Sequence, residues 1–331
     1  MRAEPAIYIL LATFNGGRFL AEQLASLGAQ EDDNWRLLVY DDSSTDGTPE
    51  ILARTARDDR RVSIQASRRE RLGSTACFFL LMQQALDQGA QYFALCDQDD
   101  VWLPEKLQRQ RAVVQALEDA GQGGSAVLCW SDLRWIDSQG RTLAGSHFRR
   151  AGAAVALQGP GRWLLAMNAV PGCAMVGNRA LLERALPRPP GVEHHDWWLA
   201  LVAAACGRVG VLETPLAGYR QHGGNLVGAA SPETTILRAL VSPSALFARA
   251  NATYWQAVVN ATRLRQRCAS GPMSSDWAYA IAHTVQELGA TSAWRRAAAV
   301  LRGPVRRIGG WRNLLMLVCA LRSGPQPDKS R

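Results

Sequence analysis

Short apolar runs at 7–12, 36–40, 62–65 and 92–95 alternate with segments whose apolar residues recur at helical spacing, and this alternation restricts the N-terminal part of the chain more than any other feature. Two parallel strands cannot be joined by a tight turn; they need a crossover, which a helix supplies. Strand and helix in repetition therefore predict an α/β fold, a mainly parallel sheet flanked by helices. The first helix carries Phe19, Leu20, Leu24 and Leu27 at helical intervals, and the second opens at Thr48 with Pro49 just inside. Helices are expected near 75–88 and 105–119, then a strand at 126–136 carrying Asp132. A strand at 172–176 beginning at Gly172, a helix stopped by Pro187, a helix at about 193–206 and a strand at 209–213 extend the pattern. The stretch 141–161 has weak periodicity and reads as a mobile loop. From 231 the chain reads all-helical, so the expected domains are 1–230 and 231–331.

In open α/β sheets ligands bind outside the carboxyl ends of the strands, so the residues just past each apolar run matter most. The first run opens into Thr13, Phe14, Asn15, Gly16 and Gly17; the second delivers Asp41 and Asp42; the fourth leads into Cys96, Asp97, Gln98, Asp99 and Asp100. If the second and fourth strands are neighbours, two acid pairs line one crevice. Alternate residues of an extended segment point to one side, so Asp97 and Asp99 can reach a single ion while Asp100 faces away. Hard oxygen ligands of this kind suit Mg2+ or Mn2+, with water and substrate phosphate completing the shell. Simpler roles stay open: a helix cap for Asp99 or Asp100, and turn formation for Asp41 and Asp42. No G-x-G-x-x-G and no P-loop lysine comes after the first strand, which excludes ordinary dinucleotide-binding and P-loop readings. The D-x-D-x-V run also satisfies the opening motif of a haloacid dehalogenase-type phosphatase, yet no second acidic pair stands after a later strand. A sugar nucleotidyltransferase, the other alternative, begins with a glycine-rich basic loop where this chain has Thr13, Phe14 and Asn15.

These motifs, each at a strand end and in this order, resemble those of family 2 glycosyltransferases with the GT-A fold, a likeness that covers roughly residues 5–230. His195, Asp196, Trp197 and Trp198, with Tyr219, Arg220, Gln221, His222 and Asn225, are similar to the pattern of its bacterial rhamnosyltransferase-like members. The resemblance implies a GT-A, Rossmann-like mixed, mainly parallel sheet and transfer of a sugar from a nucleotide-diphosphate donor to a saccharide or lipid-linked saccharide, with inversion. It implies that Thr13, Phe14, Asn15, Asp41, Asp42 and Asp97 contact the donor nucleotide. Asp97, Asp99 and His222 would hold the metal, and Arg220 and His222 would meet the diphosphate. Asp196 would act as base, although many members carry Glu where this chain has His195. Sugar or acceptor contacts are expected from Asp132, Gly172, His195, Trp197 and Trp198, the two tryptophans having a core position as the competing reading. An inverting transfer needs one base to take the acceptor proton, and a carboxylate within hydrogen-bond reach suffices.

Charge is unevenly placed. Residues 1–229 carry 23 basic and 25 acidic side chains, whereas 230–331 carry 14 and 4. Between Glu287 and Asp328 there is no acid, while Arg295, Arg296, Arg302, Arg306, Arg307, Arg312 and Arg322 are interleaved with Trp294, Leu301, Ile308, Trp311 and Leu314. Arginine with interfacial tryptophan on helical segments reads as peripheral contact with an anionic membrane through 290–322; a bundle helix with a solvated arginine face is the alternative, and nucleic acid is disfavoured. No apolar run approaches the roughly 20 residues that span a bilayer. Seven scattered cysteines without a C-x-x-C pair read as reduced thiols, which with no export signal predicts a cytoplasmic protein at the inner face of the bacterial cell membrane.

Overall fold

The computed structural model describes residues 5–65, 70–121, 124–222, 242–268, 273–305, 307 and 310–322. Four strands, β1 (Ile7–Thr13), β2 (Trp35–Asp41), β3 (Val62–Gln65) and β4 (Tyr92–Cys96), alternate with four helices, α1 (Leu20–Gly28), α2 (Thr48–Asp58), α3 (Ser74–Asp87) and α4 (Lys106–Asp119). A two-residue strand, β5 (Val101–Trp102), precedes α4. Then come β6 (Ala126–Ile136), β7 (Thr142–Ala144), a single helical turn α5 (His147–Arg150), β8 (Met175–Asn178), α6 (Arg179–Ala185), α7 (His195–Cys206) and β9 (Gly207–Arg220). The chain continues through α8 (Pro243–Arg267), α9 (Ser275–His283), α10 (Ala293–Arg302) and α11 (Gly310–Arg322).

The strands form one mixed sheet in the order β3-β2-β1-β4-β8-β6-β9-β5, with β7 on β6. Parallel pairing joins β3, β2, β1 and β4, whereas β8 runs antiparallel to both β4 and β6. The mixed α/β sheet expected for this fold is thus present, its parallel strands on one side of β4 and antiparallel pairing on the other. Between β6 and β8 the chain makes turns rather than a crossover helix, so β8 returns antiparallel beside β6. Ile7, Ile9, Leu10 and Leu11 of β1 are fully buried, and so are Phe93, Ala94 and Leu95 of β4, as expected for central strands covered on both faces.

The chain forms two compact units. The first comprises Met1–His147, Val170–Pro187 and Arg208–Gly228; the second comprises Phe148–Ala169, Arg188–Gly207 and Ala229–Arg331. The boundary expected at 230/231 lies outside the described residues, as do Asn225, Arg306 and Ile308. The stretch read as a mobile loop holds β7, α5 and a 3-10 turn at Ala154–Gln158. Their short lengths give no period for a sequence pattern to reveal.

In the second unit α7 is buried along most of its length, and its last residue, Cys206, forms a disulfide with Cys268 just beyond α8. The expectation of reduced thiols is thereby corrected for two of the seven cysteines. Sixty-two residues separate the pair, so spacing alone gave no signal. Several arginines of the basic tail are also less solvated than their spacing suggested. Arg296 donates to the Ala290, Thr291 and Ala320 carbonyls, Arg307 to Ala166, and Arg312 to Ala151 and Gly152, while Arg295 pairs with Glu287 at 2.8 Å. Among the described residues no helix is long and apolar enough to cross a membrane.

Behind β6, in the first unit, the buried His147 accepts the Trp135 indole N–H at Nδ1 (2.9 Å), with the Tyr219 ring edge-on at 5.5 Å. Burial pushes its pKa down to about 4, so the ring is neutral near pH 7. Above pH ~6.5 the imidazole is neutral in folded and unfolded chains alike. As pH falls below ~6.5 the unfolded chain takes the proton first, and stability drops until the folded pKa is passed. The predicted effect is on the order of 3 kcal/mol in full. His147→Gln, which keeps an acceptor for Trp135, is expected to shrink the loss of melting temperature between pH 7 and pH 4.5; an undiminished loss would contradict this assignment.

Candidate active site

The parallel register brings the acidic loops together around β1. Thr13 stands beside Asp41 on one flank, and Leu11 beside Cys96 on the other. The second and fourth strands are therefore separated by β1 rather than adjacent, which places their carboxyl ends about 10 Å apart, two strand spacings.

The loops after β1 and β2 are laced to each other. Asn15 N–H donates to Ser44 Oγ (2.8 Å), Thr45 N–H to Asn15 Oδ1 (2.9 Å), Gly16 N–H to Thr48 Oγ1 (2.9 Å) and Gly17 N–H to Asp46 Oδ2 (3.0 Å). Asn15 and Ser43, at φ 49° and 66°, are the non-glycine residues with left-handed backbone among those described, one in each loop. Such conformations cost on the order of 1–3 kcal/mol and gather where a loop must be held for function.

Gln98 ties the third loop in. Its Oε1 accepts from Thr13 Oγ1 (2.6 Å) and Phe14 N–H (2.8 Å), and its Nε2 donates to the Phe14 carbonyl (3.2 Å). A side chain at Gly16 would collide with Gln98, so glycine is required for this approach.

The acids do not act as two equivalent pairs. The Asp41 carboxylate accepts from the Ser44 N–H (3.1 Å) and Ser44 hydroxyl, and Asp42 accepts the Leu72 N–H (2.7 Å) and Gly73 N–H (2.9 Å), anchoring the segment that leads into α3. Residues 97–100 form a turn, so strand alternation does not apply to them. Asp99 Oδ2 lies 2.7 Å from His222 Nε2, each side chain being less than one fifth exposed. Asp97 falls instead with Asp100 and Cys173, whose ligand atoms lie within 4.8 Å of one another. Complete burial, with Asp99 beside it, pushes Asp100 up to about 7, and its Oδ1 accepts the Arg220 N–H. A carboxylate oxygen and an imidazole nitrogen in contact make a donor set suited to Mn2+ or Mg2+. Asp100 and Cys173 are sealed from solvent and bring a soft thiol, which suits those ions less.

Arg220 is not placed as expected. Its side chain is fully buried and donates to the Asp99 carbonyl (2.8 Å), the Asp137 carbonyl (3.0 Å) and Glu22 Oε2 (2.6 Å), with its guanidinium 4.7 Å from the Phe19 ring. It braces the acidic turn rather than presenting a cation to a phosphate. Among the described residues, exposed cations at these loops are Arg18, against Phe19, and Arg71, whose guanidinium lies 3.4 Å from the Phe14 ring centre. Sequence reasoning singled out neither of them, nor Gln98. Asp132 is buried and accepts from Ser146 Oγ and the Leu133 N–H, and Gly172 is buried in a 3-10 turn before β8, so neither offers a sugar a surface.

Asp196, His195, Trp197 and Trp198 belong to the second unit. Trp197 and Trp198 are core residues, 1 % and 0 % exposed, and the Trp197 indole donates to the Leu164 carbonyl (2.6 Å); the sugar-platform expectation is corrected. Desolvation pushes His195 down to about 4, leaving a neutral ring. Asp196 sits in the first turn of α7, partly exposed.

Residues 8–153 match the model of glycosyl transferase family 2. An uncharacterised glycosyltransferase of Nostoc sp. is 26 % identical over 230 residues, 66 % of each chain. TuaG of Bacillus subtilis, named for teichuronic acid biosynthesis, is 28 % identical over 107 residues, 32 % of this chain and 41 % of that protein. The dTDP-rhamnosyl transferase RfbG of Shigella flexneri is 25 % identical over 232 residues, 66 % and 74 %. The chain thus spans less than two thirds of the first two proteins. Among solved structures, residues 1–349 of TarS from S. aureus superpose with a TM-score of 0.55 at 14 % identity, over 90 % of this chain and 75 % of that one. The mannosyltransferase PcManGT of Pyrobaculum calidifontis, solved with GDP-Man and Mn2+, gives 0.53 at 18 % identity, over 96 % and 80 %. These likenesses establish the fold.

Because Asp42 holds the segment before α3 through two backbone N–H groups, Asp42→Ala is expected to destabilise the protein by about 1–3 kcal/mol. The midpoint of urea unfolding checks this, and an unmoved midpoint would show that the anchoring bonds contribute nothing.

Proposed function

We propose that this chain is a family 2 glycosyltransferase, a reading supported by the family match over residues 8–153, and that it transfers a sugar from a nucleotide-diphosphate donor to a hydroxyl of a surface polysaccharide or lipid-linked saccharide, inverting the anomeric carbon. The observation that carries the proposal is the meeting of three strand-end loops around β1, two of them held in left-handed backbone, with Asp99 and His222 in contact beside them.

Thr13, Phe14, Asn15, Asp41 and Asp97 would receive the nucleoside, Asp42 acting through the loop it anchors. A divalent cation, Mn2+ or Mg2+, would be held by Asp99 and His222 and would supply Lewis-acid neutralisation of the leaving diphosphate. Arg18 and Arg71, rather than Arg220, offer the exposed positive charge for the same phosphates. Asp196 takes the proton from the acceptor hydroxyl as its oxygen bonds to the anomeric carbon and the bond to the nucleotide diphosphate breaks. L-rhamnose carried on dTDP is the donor favoured by the likeness to RfbG. An acceptor in surface-polysaccharide synthesis is favoured by the likeness to TuaG.

Peripheral membrane contact belongs to the same proposal. Trp294, Leu301, Leu314 and Leu321 are exposed large apolar residues on α10 and α11, with Arg302 and Arg322 exposed beside them. Trp294 and Leu301, like Leu314 and Leu321, are seven residues apart and so share one face of their helix. Arginine and tryptophan on such faces suit an anionic lipid surface. The protein is expected to sediment with vesicles containing phosphatidylglycerol, less so at 0.5 M salt and less so as Trp294→Ser; equal recovery with and without vesicles would exclude this contact.

For the reaction itself, thermal shift with UDP-GlcNAc, GDP-mannose and dTDP-rhamnose, each with and without Mn2+, is expected to give a metal-dependent rise in melting temperature for one donor. Asp99→Asn should lose the metal-dependent part, while Asp196→Asn should keep donor binding and lose transfer. No rise with any donor would count against the assignment, and retained turnover in Asp196→Asn would remove Asp196 as base.

A further inference from the structure

Asp196 has one oxygen tied and one open. Its Oδ1 accepts the Trp197 N–H (2.7 Å) and the side-chain amide of Asn168 through Nδ2 (2.9 Å); its Oδ2 accepts no hydrogen bond among the described residues. Asn168 comes just after the 3-10 turn Arg162–Leu165, and that turn is fastened to α7 by the bond from the Trp197 indole to the Leu164 carbonyl. The amide and the carboxylate therefore stand on two segments clamped together within one unit.

An ionised carboxylate only accepts, so Asn168 must present its NH2 to Asp196 and turn Oδ1 away. That Oδ1 is buried and has no hydrogen-bond partner among the described residues. An unpaired buried acceptor costs about 1–3 kcal/mol, roughly what the bond to Asp196 returns. The pairing thus adds little net stability, and its effect falls on the orientation of the carboxylate. The terminal torsion of an aspartate is broad and nearly two-fold, so a single donor leaves the two oxygens free to exchange. Two donors on one oxygen, from different segments, hold the other in one direction.

We infer that Asn168 is a positioning residue for Asp196: it fixes Oδ1 so that Oδ2 faces the hydroxyl whose proton is removed. This rests on the reading of Asp196 as base. The amide changes no charge and touches no reacting atom. Its loss should slow the chemical step without weakening the donor.

The test measures nucleoside diphosphate release, in the presence of Mn2+, from whichever of UDP-GlcNAc, GDP-mannose and dTDP-rhamnose the wild type turns over fastest, water serving as acceptor. Asn168→Ala is expected to lower kcat about 10- to 100-fold, the range of a misplaced catalytic group, with donor KM within about twofold and the melting temperature nearly unchanged. Asn168→Ser, which restores a short donor, should recover part of kcat. Asn168→Asp, which can only accept while ionised, should not. Full kcat in Asn168→Ala, or Asn168→Asp as active as wild type, overturns the inference, as does a loss of kcat matched by a fall in melting temperature. Asp196→Asn separates the two levels. If it is inactive while Asn168→Ala is fully active, only the positioning role fails; if it retains turnover, or the wild type turns over none of the three donors, the underlying reading fails.

Discussion

The first unit depends on holding two loops in backbone conformations that they would not adopt alone. Asn15 and Ser43 sit in the left-handed region, and the reciprocal bonds of Asn15 with Ser44 and Thr45 oppose the cost. Those bonds exist because β1 and β2 are paired in a register that sets Thr13 beside Asp41. A one-residue slip would reverse the facing of every side chain along the strand and separate the loops. The buried apolar runs that form the centre of the sheet thus also set the geometry at its edge.

Electrostatics within the acidic turn obeys the same logic. Four residues, Asp97 to Asp100, contain three carboxylates, and repulsion among them must be offset. The offset is distributed: Arg220 braces the turn from beneath, Asp100 is buried and drawn toward its protonated form, and Asp99 meets His222. A divalent cation would complete this compensation on the open side, where Asp99 and His222 retain some exposure. The buried arginine is therefore part of why the open site can be acidic at all. In the second unit Asp196 shows a comparable economy, with one oxygen constrained and one available.

Much of this was legible in the sequence. Continuous apolar runs ending in Asn, Gly, Asp and Ser mark buried strands and the loops beyond them, because few residue types tolerate those turns; β3 and β6 lie where the patterning places them. Legibility stopped where partners are far apart along the chain or where one side chain acts through another. Arg220 and Glu22 are separated by 198 residues, and Cys206 and Cys268 by 62. Arg220 carries the charge expected of a phosphate contact, and nothing in its neighbours reveals that the guanidinium is turned inward. The same holds for Arg296, Arg307 and Arg312 of the tail, which donate to backbone carbonyls. Trp197 and Trp198 followed the apolar periodicity of α7 into the core, so there periodicity was the better guide than the motif. Gln98 lay between acids that drew attention from it, although an amide offering donor and acceptor together suits a clamp on a neighbouring peptide unit.

The central claim is that the loops after β1, β2 and β4 form one site for a nucleotide diphosphate and a divalent ion. A crystal structure of the protein with dTDP and Mn2+ tests it most directly. The account predicts the ion on Asp99 and His222 and the nucleoside against the loops that begin at Thr13 and Asp41. A nucleotide bound elsewhere, or an ion bound with the nucleotide but held without Asp99, would contradict it.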